Sequence, residues 1–258
     1  VSAANSGELR IIGINGIPEV QPNDPLARMI GDAIETSGLG LRGDDVLVVT
    51  HKVISKAEGR VIDLRTVTPT DFAIRWAQRF GKDPRQIEVV LNESKRIVRM
   101  ERGILIAETH HGFICANAGV DQSNVREETV TLLPVDPDRS AEAIRSELAA
   151  RFGLSSGPGI IVSDSFGRPW RNGIVNVAIG VAGMAPLADY RGMHDAAGYE
   201  LHVSVMAVAD EIASAAELIM NKLDARPVVL LRGYKPPTTA PHGTGQDLIM
   251  DSSRDLFK

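Results

Sequence analysis

Two carboxylates stand where apolar runs give out. Asp121 lies in Asn117-Ala118-Gly119-Val120-Asp121-Gln122-Ser123-Asn124, just after the apolar stretch around Ile114. Asp164 lies in Ser163-Asp164-Ser165-Phe166-Gly167-Arg168-Pro169-Trp170-Arg171-Asn172-Gly173, directly after the run 159–162. Small residues let backbone approach a ligand, and Asp supplies hard oxygen of the kind that Mg²⁺ and Mn²⁺ take. Ser165 adds a hydroxyl beside the second carboxylate. Arg168 and Arg171 are suited to phosphate or to a substrate carboxylate. Each stretch also has a plain reading. The first works as a polar turn built on Asn and Asp side chains. The second works as a structural Arg–Asp network around a buried Trp170.

A third stretch, Thr50-His51-Lys52-Val53-Ile54-Ser55-Lys56-Ala57-Glu58-Gly59, follows the apolar run 46–49. Lysines at a strand end can neutralise phosphate as point charges, or can simply be solvated. The fourth, Ala188-Asp189-Tyr190-Arg191-Gly192 and onward to Asp195, Gly198, Tyr199 and Glu200, fits a substrate-facing loop and an ordinary loop equally well. Other signals fail on their own terms. Gly38-Leu39-Gly40-Leu41-Arg42-Gly43 spells GxGxxG, but it follows a helical pattern and precedes a strand, the reverse of the dinucleotide context. No GxxxxGK[ST] occurs. His110 and His111 are adjacent and cannot act as an i, i+4 zinc pair. Cys115, the single cysteine, sits among apolar neighbours and reads as an inert buried thiol.

The elements that must position these residues are legible in outline. Strands are expected over 9–14, 46–50, 96–100, 104–108, 112–116, 128–133, 159–162 and 227–231, by compact or alternating apolar runs. The run 159–162 is expected to end at Ser163-Asp164. Helices are expected from Asp24-Pro25, with Asp24 as cap and Pro25 in the first turn, up to Gly38, over 70–80 with Thr70 as cap and Gly81 as stop, from Asp83-Pro84, over 138–152 closed by Gly153, and over 210–223. Several strands are neighbours in sequence, so strict βαβ alternation is absent. The fold class this implies is α+β, with mixed or antiparallel sheets flanked by helices. No repeat of 20–50 residues is present. Residues 1–234 form the body. From Lys235 the chain turns rich in Pro and Gly, and 235–258 is expected as a surface tail packing on that body.

Composition sets the outer bounds. The chain has 258 residues, 43% of them hydrophobic and 24% charged, which suits a globular protein with a substantial core. The net charge of −5 makes nucleic acid an unsuitable main partner, although a local basic pocket for a phosphate-rich small molecule remains compatible with it. The N-terminus lacks the basic start and apolar stretch of a signal peptide. The longest apolar region, 174–188, is interrupted by Asn176, Gly180, Gly183 and Pro186, so no membrane span is expected. A cytoplasmic location follows as the expectation.

Taken in order, these strings resemble the coenzyme F420:glutamate ligase family over about 11–256. The resemblance rests on Gly16-Ile17-Pro18-Glu19, on Lys52 with Ser55-Lys56-Ala57-Glu58-Gly59, on 118–124, on 163–171, on Asp189-Tyr190-Arg191-Gly192, and on Ala207-Val208-Ala209-Asp210-Glu211-Ile212-Ala213-Ser214-Ala215-Ala216. The stand-alone form of the family is the expectation, rather than the bifunctional form with a reductase-like domain.

The resemblance implies a GTP-dependent ligation. A terminal carboxylate of F420-0 is phosphorylated, the amine of L-glutamate attacks the acyl phosphate, and further rounds add γ-linked glutamates. It implies Mg²⁺ or Mn²⁺, as two ions held by Asp121, Asp164 and Ser165, with K⁺ as a further ion. It implies GTP contacts from Ile17, Pro18, Glu19, Val20, His51, Lys56 and Asn124, and an intertwined homodimer. Arg168 and Arg171 are added to Asp164 as catalytic candidates, and Arg191 as a further anion partner, from their chemistry alone. Four departures from the family pattern stand out: Ser165 where Thr is common, His51 where relatives often carry Ser, Val205 where Glu is expected, and Asn221-Lys222 in place of a small segment such as Gly-Gln, where Lys222 could meet phosphate. The alternatives are a same-fold amide ligase for another polyacid, a non-catalytic F420- or nucleotide-binding protein, and a metal-dependent phosphoesterase.

Overall fold

The computed structural model describes residues 7–122, 127–236 and 240–255. Its strands are β1 (Arg10–Ile14), β2 (Val46–Thr50), β3 (Val61–Asp63), β4 (Ser94–Glu101), β5 (Ile104–Thr109), β6 (Ile114–Ala116), β7 (Thr129–Thr131), β8 (Gly159–Arg168), β9 (Arg171–Ala182), β10 (Ala188–Asp189), β11 (Val205–Met206) and β12 (Val228–Arg232). Its helices are α1 (Leu26–Thr36), α2 (His51–Ala57), α3 (Asp71–Phe80), α4 (Pro84–Asn92), α5 (Pro137–Arg151) and α6 (Val208–Met220).

The main sheet runs β1-β12-β2-β8-β9. Only β2 and β8 are parallel; the other three pairings are antiparallel. The central strands are unbroken apolar runs because both of their faces are covered. Leu47, Val49, Ile160, Val162, Val228 and Leu230 share one core with residues of α1 and α5. Val46, Val48, Ile161, Val229 and Leu231 pack with α6 on the other face. A smaller body holds the antiparallel sheet β4-β5-β6, the β3-β7 pair, α3 and α4 around Leu64, Ala77, Ile87, Leu105 and Val130. The architecture is therefore α+β with mixed sheets, as the order of elements implies.

Local signals acted largely as read. Thr70 accepts from Ala73 N at the start of α3, and Gly81 stops that helix at φ 63°. Asp83 caps α4 with Pro84 in its first turn. Asp24 differs. Its carboxylate accepts from Gln21 N at 2.7 Å, so it closes the preceding turn, while α1 starts without a side-chain cap. The glycine-rich 38–43 is the turn between α1 and β2.

The largest departure is at 159–182. The strand does not end at Ser163-Asp164. It continues as β8 to Arg168, turns through Pro169 and Trp170, and returns as β9. Trp170 takes φ 55° in that turn. A register shift between Val162 and Ser163 marks where the β8-β9 ribbon changes character. Beyond it the ribbon no longer separates two apolar layers, so the alternation that betrays a strand is lost. The tail residues 240–255 lie on the body. Gly245 N donates to Asp138 Oδ1 at 2.6 Å, and a Cβ at Gly245 would meet the Ile179 carbonyl oxygen at 2.8 Å. No described helix is long and apolar enough to cross a membrane.

Candidate active site

Sheet direction decides where the polar groups collect. β2 and β8 are parallel, and Thr50 is in register with Ser163, so both carboxyl ends face the same edge. Ligand sites in sheets of this kind form outside those ends. β12 runs the other way and pairs Val228 with Val49 and with Ile14, so its first residues and the last of β1 reach the same edge. Four segments thus converge: the turn after β1, the start of α2, β8 beyond Ser163, and the loop from α6 into β12. They enclose a cleft of about 360 Å³.

Ile17, Pro18, Glu19 and Val20 form one wall, and Lys52, Lys56, Asp164, Ser165, Asn176, Glu217, Lys222 and Arg226 supply its polar lining. Four cationic side chains therefore line one cleft of a chain whose net charge is −5. Each has an acidic or hydroxyl contact. Lys52 Nζ is 2.6 Å from Asp121 Oδ2, and Lys56 Nζ donates to Glu19 Oε1 at 2.6 Å. Lys222 Nζ donates to Ser165 Oγ at 2.7 Å. Arg226 donates to Asn15 Oδ1 at 2.9 Å and pairs with Asp224 at 3.1 Å.

Asp164 and Ser165 are held from behind. Asp164 Oδ1 accepts from Ser165 N at 2.7 Å and lies 3.3 Å from His51 Nε2. The His51 ring is fully buried, with Nδ1 3.3 Å from Ser55 Oγ. Its Nε2 has no aligned hydrogen-bond partner, so its contact with Asp164 is one of proximity. His51 therefore supports Asp164 from the protein side and does not line the cleft. Ser165 Oγ donates to Asn176 Oδ1 at 2.7 Å, across the β8-β9 register pair that the two residues form. Asn176 Nδ2 donates to Glu217 Oε2 at 2.9 Å. Burial, with the Asp164 charge adding to it, pushes the Cys115 thiol up to about 12, which keeps it protonated and inert.

The structure thus gathers Ile17, Pro18, Glu19, Val20, Lys56, Asp164 and Ser165. Asp121 is tied to the cleft through Lys52, at the isolated bridge that it forms with Thr131, and does not itself line the space. Asn124 lies outside the described residues. Arg168 and Arg171 are not brought to the cleft, because they pair with each other at the far end of the β8-β9 ribbon, several residues past Asp164 at about 3.3 Å per residue. Arg168 lines a separate shallow depression with Asp210 and Glu211, and its Nη2 donates to Asn172 O at 3.4 Å. Burial raises the Asp210 carboxyl above its ordinary range, while the Ala178 N–H pulls the other way. Arg191 forks onto Asp189, and that hydrogen bonding holds the Asp189 carboxyl at about 2.

Asn176, Glu217 and Arg226 escaped the sequence reading. Asn176 carried a usable signal: a polar amide inside an apolar strand, here 4% exposed, needs a partner. Glu217 and Arg226 carried none, since each belongs to an ordinary polar surface pattern.

Among the described residues, no three His, Cys, Asp or Glu side chains cluster so as to hold a metal ion. Apart from Glu19, which Lys56 holds, the cleft offers two carboxylates, a hydroxyl and an amide oxygen, from Asp164, Glu217, Ser165 and Asn176. Hard oxygen donors few in number, completed by substrate phosphate and water, suit Mg²⁺ or Mn²⁺.

Residues 15–233, which contain every segment of the cleft, match the family model described as F420-0:Gamma-glutamyl ligase. The chain is 43% identical over 258 residues to the coenzyme F420:L-glutamate ligase of Methanopyrus kandleri, covering 98% of this chain and 100% of that protein. It is 40% identical over 251 residues to the protein of the same name from Methanothermobacter thermautotrophicus, covering 97% and 99%. With the protein of that name from Methanocaldococcus jannaschii it shares 44% over 215 residues, 83% of this chain and 84% of that one. Shared length on this scale, together with the family match across the whole cleft-bearing body, makes the chain a member of the F420-0:gamma-glutamyl ligase family.

Proposed function

We propose that this chain is a ligase that joins L-glutamate to coenzyme F420-0 at the expense of GTP, with Mg²⁺ or Mn²⁺ as cofactor. The observation that carries the reading is the cleft itself, where four cationic side chains share one lining with Asp164, Ser165 and Glu217. Such a lining suits the polyphosphate of a nucleotide beside an acidic acceptor. Family membership supports the choice of acceptor and amine.

In the proposed reaction a terminal carboxylate oxygen of F420-0 attacks the γ-phosphorus of GTP and GDP leaves. The acyl phosphate then takes the amine of glutamate at its carbonyl carbon, the amide forms, and phosphate departs with one proton lost from the amine. Lys52, Lys56 and Arg226 would hold phosphate charge, and residues 17–20 would wall the nucleotide side. Asp164 and Ser165 would hold the metal ion, with Asp121 as the further carboxylate beside Lys52; a bound ion would supply charge neutralisation for the transferred phosphoryl group. A second divalent ion and K⁺ belong to the same reading. His51 would keep Asp164 in place. The enclosing walls would keep water from the acyl phosphate.

The family resemblance also points to a homodimer in the cytoplasm. Support for a second copy comes from large apolar side chains left in solvent: Trp170 is 82% exposed, Val203 88% and Ile174 59%.

The test is turnover of F420-0, L-glutamate, GTP and Mn²⁺, read by mass spectrometry. The expected result is glutamylated F420 with equimolar GDP. GDP release that ignores both glutamate and F420-0 would instead indicate a phosphoesterase. No glutamylated product with either GTP or ATP would overturn the ligase reading.

A further inference from the structure

Four side chains close a ring along one wall of the cleft. Lys222 Nζ donates to Ser165 Oγ at 2.7 Å, and Ser165 Oγ donates to Asn176 Oδ1 at 2.7 Å. Asn176 Nδ2 donates to Glu217 Oε2 at 2.9 Å, and Glu217 Oε1 lies 3.7 Å from Lys222 Nζ. The ring links β8, β9, α6 and the loop that follows α6.

Its hydrogen-bond directions are set by the ammonium. A serine hydroxyl has one proton to give and two lone pairs to offer. Ser165 spends its proton on Asn176, and Lys222 takes a lone pair facing the cleft. The loop is built to deliver that ammonium. Asn221 ends α6 at φ 53° and ψ 156°, backbone that a side-chain-bearing residue rarely adopts, and its own Oδ1 accepts from Lys222 N at 2.8 Å. The chain turns back there and brings Lys222 over Ser165. Without the ammonium, the corner would present the Ser165 hydroxyl and the Glu217 carboxylate, with Asp164 adjacent along β8. Those are the hard oxygens that a divalent ion seeks.

We infer that Lys222 is a built-in cation of this cleft, its ammonium occupying the Ser165–Glu217 corner in competition with a divalent ion. The inference rests on the ligase reading for the identity of the competing ion. A lysine in this place supplies a positive charge from the chain itself, and it leaves the Asp164 side as the stronger position for metal. It also makes Lys222 a positioning residue, since it fixes the Ser165 hydroxyl that the same reading assigns to metal.

The experiment is a titration of the full chain with Mn²⁺ alone, free ion being read by electron paramagnetic resonance. Wild type is compared with Lys222→Met, which keeps the side-chain length and removes the charge, and with Lys222→Arg. Lys222 is half exposed, and circular dichroism checks that each variant is folded. Lys222→Met is expected to bind Mn²⁺ about tenfold more tightly, or to bind one further ion per chain, because a like charge has left the corner. Adding Ser165→Ala to Lys222→Met is expected to abolish that gain, and Lys222→Arg to titrate like wild type. Equal or weaker Mn²⁺ binding by Lys222→Met would overturn the inference. The titration contains no nucleotide, glutamate or F420-0. Ligase turnover with unchanged Mn²⁺ binding would therefore remove this inference alone, and tightened binding without turnover would remove the ligase reading alone.

Discussion

The β8-β9 ribbon is one hairpin with two unlike halves. Its inner half holds Asp164, Ser165 and Asn176 against α2 and α6, with each polar group tied to another. Its outer half holds Trp170, Arg171 and Ile174 in solvent, with Arg168 partly buried beside them. In sequence the residues of β8 and its turn form a single dense motif, and the chemistry of both halves looks equally promising. Depth separates them. A carboxylate with a buried imidazole behind it and cations across a cleft is set in one geometry. Arg171 at the ribbon end is exposed, where electrostatic effects are weak and screened, and Arg168 lies over a different depression from the cleft.

The two halves should respond unequally to substitution, and the largest effect is expected at Asp164. Asp164→Asn should lower turnover about 100-fold or more, because an oriented charge is lost from the site where the proposed phosphoryl transfer would build charge. Its thermal melt should stay close to wild type, since Asn keeps the shape. Turnover at limiting Mn²⁺ is the measurement, and unchanged activity there would show that the inner half is misassigned. The second effect is on assembly. Trp170→Ser with Ile174→Asp should convert the proposed dimer to a monomer in light scattering, because the outer half would lose its apolar surface and gain a charge. A dimer that survives both changes would assign another face to self-association.

A smaller effect is expected at Asn176. Asn176→Ala leaves Ser165 and Glu217 without their shared partner, which should cost about 1–3 kcal/mol of stability in denaturant unfolding. It should also lower turnover about tenfold by loosening the Ser165 hydroxyl. Loss of stability without loss of turnover would make the ring a purely structural device. Cys115 supplies a probe of the same half. Its thiol is pushed up to about 12, so the protonated form is favoured in the fold, and the stability tied to it is lost only as pH rises from the ordinary thiol value toward 12. Alkylation of the native protein near neutral pH should be negligible, and unfolding should release it. The smallest effect is expected in the outer half, where Arg168→Ala and Arg171→Ala should each change GTP affinity by about twofold or less. A tenfold loss at either would bring that residue into the site after all.

How much of this was readable beforehand follows from the kind of signal each residue sends. The central strands 46–50, 159–162 and 227–231 announced themselves, because burial on two faces demands continuous apolar runs. Thr70, Gly81 and the Asp83-Pro84 pair marked helix ends through backbone chemistry confined to a few residues. The outer part of β8 sent no such signal, since a ribbon clear of the layered core has no apolar face to maintain. Asp24 misled for the opposite reason: the same carboxylate can cap a helix or close the turn before it, and only the fold decides. Within the site, Asp164, Ser165 and Lys56 were found because unusual groups cluster near them in sequence. Asn176, Glu217 and Arg226 reach the cleft from three other segments. Their role depends on the parallel pairing of β2 with β8 and on where α6 ends, and no local pattern encodes either.

If the cleft carries out ligation through an acyl phosphate, as proposed, a carboxylate oxygen of F420-0 must leave with phosphate. The most direct test uses F420-0 whose terminal carboxylate is enriched in heavy oxygen, supplied with GTP, L-glutamate and Mn²⁺. Glutamylated product and one heavy oxygen in each phosphate released are expected, because the carboxylate oxygen that attacks phosphorus leaves with it. Phosphate carrying only the ordinary oxygens of GTP and water would contradict the acyl-phosphate route.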